Sequence, residues 1–257
     1  MKQEMLNIAQ DKIIKLAKAK LKEPSSLTNF TGNEEADSLI NDLSDHPHAF
    51  VLACIMDRQI KTEKAWLIPY ELSKRLGFFD FERLSALSEG KIREAMNNPT
   101  PLHWLTDIMP KNFYKGIRRI ESVYGGDASH IWSGKPSSST IVRRFLEFDG
   151  VGLKIATMAA NILFRDLRIP VRDKYSIDIS TDTHIIRVFK RLGFVGENAS
   201  NELIIYTARE IYPEYPGIID PVLWEIGGKV CHPQKPMCNL CEMADCCEFA
   251  LTRDKVQ

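Results

Sequence analysis

Five of the six cysteines lie close together near the end of the sequence. Cys231, Cys238, Cys241 and Cys247 are separated by six, two and five residues, so four thiols fall within seventeen residues. This stretch is too short to be a disulfide framework for the whole chain, and such a group more often binds metal. Four thiolates at this spacing can hold an inorganic cluster in which each iron takes one cysteine sulfur.

Structural zinc is the alternative for the same cysteines. Zinc sites usually combine two Cys-x2-Cys pairs, whereas only Cys238 and Cys241 form such a pair here. The spacing therefore favours a [4Fe–4S] cluster on the four spaced cysteines. Cys246 is adjacent to Cys247 and can replace it as the fourth ligand, while Cys54 stands alone in an apolar run that is typical of a buried core.

A second informative group is Gly150-Val151-Gly152, which is followed two positions later by Lys154. Two glycines this close let the chain turn sharply into a helix and point backbone N–H groups outward, where they can bind a DNA phosphate. Purely DNA-binding proteins contain such turns as well. A lysine in a first helical turn is more often solvated than catalytic, and it acts as a nucleophile only as a neutral amine in a partly desolvated pocket.

The composition describes a globular protein. Of its 257 residues, 44% are hydrophobic, which can fill one large domain or two smaller ones. The N-terminus has no signal-peptide pattern, and no segment approaches the roughly 20 apolar residues of a membrane span. We therefore expect a soluble, intracellular protein, located in the cytoplasm or at the nucleoid. Because the formal net charge is 0, any DNA affinity must come from a local basic face, such as one around Arg143 and Arg144.

Helical periodicity dominates the sequence and no run alternates like a β-strand, which predicts an all-α fold. The first helix is expected to end at Pro24-Ser25-Ser26, before a polar, acidic connector that reaches residue 46. An irregular stretch is predicted from Arg168 to Ser180. Further helices are predicted at 48–60, 62–76, 81–87, 89–96, 112–124, 140–147, 154–163, 182–192 and 199–211, and just before the cysteines.

Together these features resemble the endonuclease III family of helix-hairpin-helix DNA glycosylases, from about residue 47 onward. The resemblance rests on the 6-2-5 cysteine spacing, on the hairpin Phe148-Asp149-Gly150-Val151-Gly152-Leu153-Lys154, and on Thr181-Asp182-Thr183-His184, which is similar to the family's Val-Asp-Thr-His. It implies an all-α fold of two helical domains with a DNA-binding cleft between them. Residues 47–166 would form a helical barrel with the hairpin, and residues 1–46 and 167–257 would form the iron–sulfur cluster domain.

The resemblance implies a base-excision repair enzyme that acts as a monomer on duplex DNA containing a damaged, mismatched or abasic nucleotide. Lys154 would attack the sugar C1′, displace the base and form a Schiff base that permits β-elimination, the AP lyase step. Asp182 would stabilise the positive charge that builds on the sugar, and as a helix N-cap it would stay ionised. The cofactor would be a [4Fe–4S] cluster on the four cysteines.

The resemblance also implies DNA contacts outside the hairpin. A flipped nucleotide leaves a gap that a polar plug and an apolar wedge can fill. Gln59 in Met56-Asp57-Arg58-Gln59-Ile60 is the predicted plug, and Met109 is the predicted wedge. The predicted DNA-binding residues are Gln59, Met109, Arg143, Arg144, Gly150, Val151 and Gly152.

The sequence departs from the family at several points. Asp149 replaces a usual proline, about ten extra residues precede Asp182, and the N-terminal extension is acidic. Ala53 stands where adenine-specific relatives have a catalytic glutamate, which argues against that specificity. Two alternatives remain open: a monofunctional mismatch glycosylase in which Lys154 only contacts DNA, and a non-catalytic protein that binds DNA structure. The sequence does not identify the lesion.

Overall fold

The computed structural model describes residues 2–22 and 27–253, and none of these residues forms a β-strand. The chain divides into two compact units, one of Met1–Pro24 and Asp173–Gln257 and one of Ser25–Arg172. The predicted all-α, two-part architecture is confirmed. The predicted domain boundaries at residues 47 and 166 stay a prediction. Within residues 2–22 and 27–253, no helix combines the length and hydropathy that crossing a bilayer requires.

The unit formed by Ser25–Arg172 contains the predicted hairpin. It holds one short 3-10 helix, Ala128–Ile131. Its α-helices are α2 Glu34–Asn41, α3 Pro47–Met56, α4 Thr62–Leu76, α5 Phe81–Ser85, α6 Glu89–Asn97, α7 Ile108–Tyr124, α8 Ser138–Leu146 and α9 Leu153–Arg165.

Helix α3 is the centre of this unit, because all ten of its residues are buried. The Phe50 ring contacts the rings of Trp66, Trp132 and Phe145, with centroids 5.6, 6.0 and 6.3 Å away. Such aromatic contacts add to the free energy of burying apolar surface. A continuous apolar run such as 49–56 is thus a core helix, packed on several sides.

Helix α2 lies inside the stretch that was expected to be a connector. The Asn33 side chain caps it by accepting a hydrogen bond from Ala36 N at 3.0 Å. Buried Asp37 accepts hydrogen bonds from the backbone N–H groups of Phe30 and Thr31, at 3.1 and 2.9 Å. The prediction of a connector without a helix was therefore wrong, because polar side chains satisfy the backbone groups at the start of this short helix.

The other unit contains the predicted aspartate and the cysteines. Its 3-10 helices are Pro216–Ile219, Cys238–Leu240 and Ala244–Cys246. Its α-helices are α1 Lys2–Leu21, α10 Thr183–Leu192, α11 Asn201–Ile211, α12 Asp220–Lys229 and α13 Glu248–Arg253. The predicted stop of α1 at Pro24-Ser25-Ser26 lies outside the described residues.

The irregular stretch before α10 was predicted correctly and is tied to this unit by buried polar groups. Arg209 donates two hydrogen bonds to the buried Asp178 carboxylate, at 2.7 and 2.8 Å, and this pairing raises the pKa of Arg209. Gly217 N donates to Ile177 O at 2.7 Å. A segment without helix or strand is therefore held by specific partners, as buried polar groups require.

Candidate active site and cysteine cluster

The turn between α8 and α9 requires a glycine at one position. Gly150 has φ +85°, and a Cβ there would lie 2.4 Å from Asn112 Nδ2. Any other residue would combine a left-handed backbone with a steric clash. Phe148, which is 2% exposed, anchors the turn in the core beside Tyr124 and Phe145. The structure thus forms the helix-hairpin-helix that the sequence predicted.

The N-terminus of α9 is open at the outer side of this turn. Gly152 is extended, has no side-chain cap, and a Cβ there would meet nothing within 4 Å. The first N–H groups of a helix have no intrahelical acceptor and carry a partial positive charge, so this end suits an anion. Lys154 is half-buried in the first turn of α9. Among the described residues, no acidic side chain forms an ion pair with its amine.

The charges around the hairpin are largely paired. Asp149 Oδ1 accepts a hydrogen bond from Lys115 Nζ at 2.8 Å, and both side chains are about half exposed. Arg143 is exposed and forms an ion pair with Glu147. Arg144 donates to backbone carbonyls of the 3-10 helix Ala128–Ile131, at 3.0 and 2.7 Å. Of the two predicted DNA-binding arginines, Arg144 therefore has a structural role, whereas Arg143 is accessible.

The predicted plug lies in a turn of residues 57–60, the glutamine turn, because α3 ends at Met56 and not at residue 60 as predicted. Gln59 is exposed and has a left-handed backbone with φ 55°. Its carbonyl accepts a hydrogen bond from Trp104 Nε1 at 2.8 Å. The Arg58 carbonyl is bonded to His103 Nε2 at 3.0 Å. The turn also approaches the hairpin, since Arg58 Nη1 is 3.7 Å from the position of a Cβ on Gly150.

Met109, the predicted wedge, is 0% exposed. It lies inside α7, which begins at Ile108 and not at residue 112 as predicted. A wedge must reach the base stack, and in this structure the Met109 side chain is enclosed by the core instead. Trp104, five residues earlier, is 60% exposed and contacts the glutamine turn. Sequence reasoning missed Trp104, although its place between two predicted helices was the available signal.

Asp182 is the N-cap of α10, as predicted. Its Oδ1 accepts a hydrogen bond from Ile185 N at 2.8 Å, and no described residue donates to Oδ2. The helix ends at Gly193, which has φ 86°. Two residues before Asp182, Ser180 donates its N–H and its hydroxyl to the buried carboxylate of Asp220, at 2.7 and 3.1 Å. Asp220, which sequence reasoning missed, thereby fixes the backbone that leads to Asp182.

The four spaced cysteines line one cavity. Cys246 does not line it: its Sγ is directed to Met243 O at 3.5 Å, and burial raises its pKa to about 11. Burial also raises the pKa of Cys241 and of Cys247. Among the described residues, no three His, Cys, Asp or Glu side chains converge closely enough to hold a single metal ion. The structure thus distinguishes Cys247, the predicted fourth ligand, from Cys246, its predicted alternative.

Two arginines of α10 connect this helix to the cysteine loop, residues 230–247. Arg187 donates to Cys231 O at 2.7 Å and to Gly227 O at 2.8 Å. Arg191 donates to Cys231 Sγ at 3.2 Å and to His232 O at 2.8 Å. A guanidinium can make several such bonds at once because its donors are fixed in a plane. The helix capped by Asp182 is therefore attached to the loop that carries the cysteines.

Comparisons with known proteins agree with these features. No family model matches the chain. It is 28% identical to endonuclease III of Thermotoga maritima over 114 residues, which are 44% of this chain and 49% of that protein. It is 30% identical to endonuclease III of Sulfolobus acidocaldarius over 116 residues, which are 44% of this chain and 48% of that protein. The chain matches about half the length of these curated relatives.

A solved structure extends the likeness to the whole chain. The structure of a trapped covalent intermediate of endonuclease III with DNA matches with a TM-score of 0.63 and 18% sequence identity, over 99% of both chains. At this identity the match shows the fold. The resemblance to the endonuclease III family, which the motifs predicted, is confirmed by partial sequence similarity and by a common fold.

Proposed function

We infer that this endonuclease III-like chain is a base-excision repair DNA glycosylase with AP lyase activity. The observation that carries the proposal is the hairpin: Lys154 lies in the first turn of α9, next to an uncapped helix N-terminus that suits a DNA phosphate. The glutamine turn approaches the same hairpin and presents Gln59 to solvent. The proposed phosphate-binding turn, the proposed gap-filling side chain and the proposed nucleophile therefore all belong to one unit of the fold.

The proposed reaction begins with attack of the neutral Lys154 amine on C1′ of the damaged nucleotide. The N-glycosidic bond breaks, and the base leaves with its bonding electron pair and takes up a proton. The attached amine loses its proton, the C1′–O4′ bond of the sugar opens as O4′ takes up a proton, and a Schiff base forms between Lys154 and C1′. Loss of a C2′ proton from this Schiff base then permits β-elimination of the 3′ phosphate. Asp182 contributes a carboxylate that offsets positive charge on the sugar, and its cap bond through Oδ1 leaves Oδ2 available for that role.

We also propose a [4Fe–4S] cluster held by Cys231, Cys238, Cys241 and Cys247. These four line one cavity, so all four thiolates are available to a cluster whose irons each need one sulfur. Their spacing contains one Cys-x2-Cys pair, whereas zinc sites usually combine two, and this favours the cluster. When bound, the cluster would supply covalent cross-links that stabilise the loop. The N–H donor of Arg191 on Cys231 Sγ suits a thiolate.

The proposed substrate is duplex DNA with a damaged, mismatched or abasic nucleotide, and the protein is proposed to act as a monomer. Because the net charge is 0, binding depends on a locally basic face, formed by the hairpin and by exposed cations such as Arg143. Ala53 lies in fully buried α3 at the place of the glutamate of adenine-specific relatives. The chain therefore lacks the carboxylate that this specificity would use.

Borohydride trapping tests the proposal. Reducing the Schiff base on abasic DNA should give a covalent protein–DNA adduct, which Lys154→Ala should abolish. Lys115→Ala is the matched control, since Lys115 is another lysine close to the hairpin and should not be needed for the adduct. Asp182→Asn preserves the shape of the cap and should slow base release by roughly a hundred- to a thousandfold while DNA binding survives.

The same assay separates the alternatives. Base release without an adduct would indicate a monofunctional glycosylase in which Lys154 only contacts DNA. Neither base release nor an adduct on any substrate of a panel of modified-base and mismatched duplexes would indicate a protein that only binds DNA structure. The residues that select a base are expected to come from several helices and have no local sequence motif. The panel of substrates is therefore also the way to identify the lesion.

A further inference from the structure

Trp104 is the most exposed tryptophan of the chain. Its exposed fraction is 60%, compared with 43% for Trp224, 4% for Trp132 and 0% for Trp66. It lies outside the helices, between α6 and α7. Its exposed apolar surface is available to a ligand, and burying such surface on binding is favourable. Trp104 is hydrogen-bonded to Gln59, the predicted plug, so DNA that reaches Gln59 would also reach the indole ring.

The ring is held in place although it is exposed. Its Nε1–H is bonded to Gln59 O at 2.8 Å, and the His103 ring lies 6.3 Å away with a tilt of 23°. His103 is itself fixed, because its Nδ1 accepts from Leu105 N at 3.0 Å and its Nε2 therefore donates to Arg58 O. Burial lowers the pKa of His103, which favours this neutral form.

This network joins two turns of the chain. The bonds from His103 and Trp104 satisfy consecutive carbonyls, those of Arg58 and Gln59. The polar edge of the indole is consequently turned to the protein, and its remaining apolar surface is presented to solvent beside the exposed Gln59 side chain. A pre-oriented aromatic surface loses little conformational entropy when it stacks on a flat partner.

We propose that Trp104 stacks on a nucleobase beside the gap that Gln59 fills, and so serves as the aromatic wedge of this protein. The proposal rests on the proposed function, which brings DNA to this unit. Stacking tolerates every base, because each has a π face, and is worth about 1–3 kcal/mol per base. Trp104 should therefore favour DNA with a missing or unpaired base over intact duplex, without selecting the kind of lesion.

Fluorescence tests this proposal in a Trp224→Phe background, in which Trp104 is the remaining exposed emitter. The probe is a duplex with a tetrahydrofuran abasic analogue opposite 2-aminopurine, compared with the intact duplex of the same sequence. Stacking should quench Trp104 emission when the abasic duplex binds. Trp104→Ala should reduce the preference for the abasic duplex roughly tenfold, which corresponds to about 1.4 kcal/mol.

Trp104→Phe distinguishes stacking from the hydrogen bond to Gln59. Phenylalanine keeps an aromatic face but has no N–H donor, so most of the preference should remain if stacking is the cause. Loss of the preference in both variants would make Trp104 only a support for the glutamine turn and would overturn the proposal. The proposal would also be overturned if the Trp104 emission of the Trp224→Phe background protein stayed unquenched when the abasic duplex binds.

The outcomes also separate this inference from the proposed function. If the background protein prefers abasic DNA and gives the borohydride adduct, but Trp104→Ala changes neither preference nor emission, only the wedge is refuted. If the background protein binds intact and abasic duplexes equally and gives no adduct, the proposed function and the wedge fail together. Quenching by unrelated apolar peptides, with none by DNA, would instead indicate a protein-docking role for the ring.

Discussion

Replacing Gly150 by alanine should destabilise the hairpin in two separable ways. The residue has φ +85°, and its new Cβ would lie 2.4 Å from Asn112 Nδ2 and 3.3 Å from Asn112 Cγ. A left-handed backbone costs a non-glycine residue roughly 1–2 kcal/mol, and overpacking against a buried side chain costs about 1–3 kcal/mol. The sum of about 2–5 kcal/mol corresponds to a fall in Tm of roughly 5–15 °C for a chain of this size.

Two control variants make the reasoning testable by thermal unfolding. Gly152→Ala should leave Tm nearly unchanged, since a Cβ there meets nothing within 4 Å and the backbone is extended. Asn112→Ala removes the clashing amide, so the Gly150→Ala/Asn112→Ala double variant should lose less stability than the sum of the two single variants. Equal losses at Gly150 and Gly152, or strict additivity with Asn112, would refute the assignment of the cost to this contact.

Other predictions concern the cysteines, the basic face and pH. The purified protein should be yellow-brown. Cys247→Ser should abolish this absorption and Cys246→Ser should preserve it, because of these two cysteines only Cys247 lines the cavity. A colourless unsubstituted protein that contains stoichiometric zinc would contradict the proposed cluster. Arg143→Glu places like charge beside Glu147, so it should weaken binding to all duplexes alike and reduce the salt slope in titrations by roughly 1. Burial lowers the pKa of His48 from 6.5 to about 4, so the unfolded chain binds more protons between these values and stability rises with pH across that window. His48→Gln should flatten this part of the dependence of Tm on pH, and an unchanged slope would exclude His48 as its source.

Much of the helical pattern could be predicted because local signals and tertiary packing agree. Helix α4 begins and ends at the predicted residues, Thr62 and Leu76, since a left-handed glycine follows at Gly77. Helix α2 was missed because its stabilising groups are polar side chains and only Ala36 and Ile40 provide buried apolar contacts. Such a helix depends on tertiary partners that a periodicity of hydrophobic residues does not show.

Site residues that belong to a motif with a required backbone geometry could be predicted from the sequence. Site residues whose role depends on the burial of the side chain could not. The glycines of the hairpin and the cap at Asp182 follow from backbone requirements that the sequence displays directly. Met109 and Trp104 differ chiefly in exposure, 0% against 60%, which depends on where α7 begins. The spacing likewise favoured Cys247 but left Cys246 as an alternative, because the folding of the 3-10 helix Ala244–Cys246 decides which of the two thiols lines the cavity.

The contacts of α10 connect the cysteine loop to the helix capped by Asp182. The loop is far from Asp182 and Lys154 in the sequence, but through these contacts it can affect the proposed chemistry. Arg187 bonds both to Cys231 O and to Gly227 O, and so joins the start of the loop to the end of α12. At Gly227 the two helices approach closely, since a Cβ there would lie 2.7 Å from His184 Cβ and 3.1 Å from its backbone. The position of α10 is therefore set by Arg187 and by the close approach at His184, which is two residues from the N-cap Asp182. Disorder of the cysteine loop should act on Asp182, the carboxylate proposed to stabilise the sugar, whereas Lys154 is supported by α9 of the other unit.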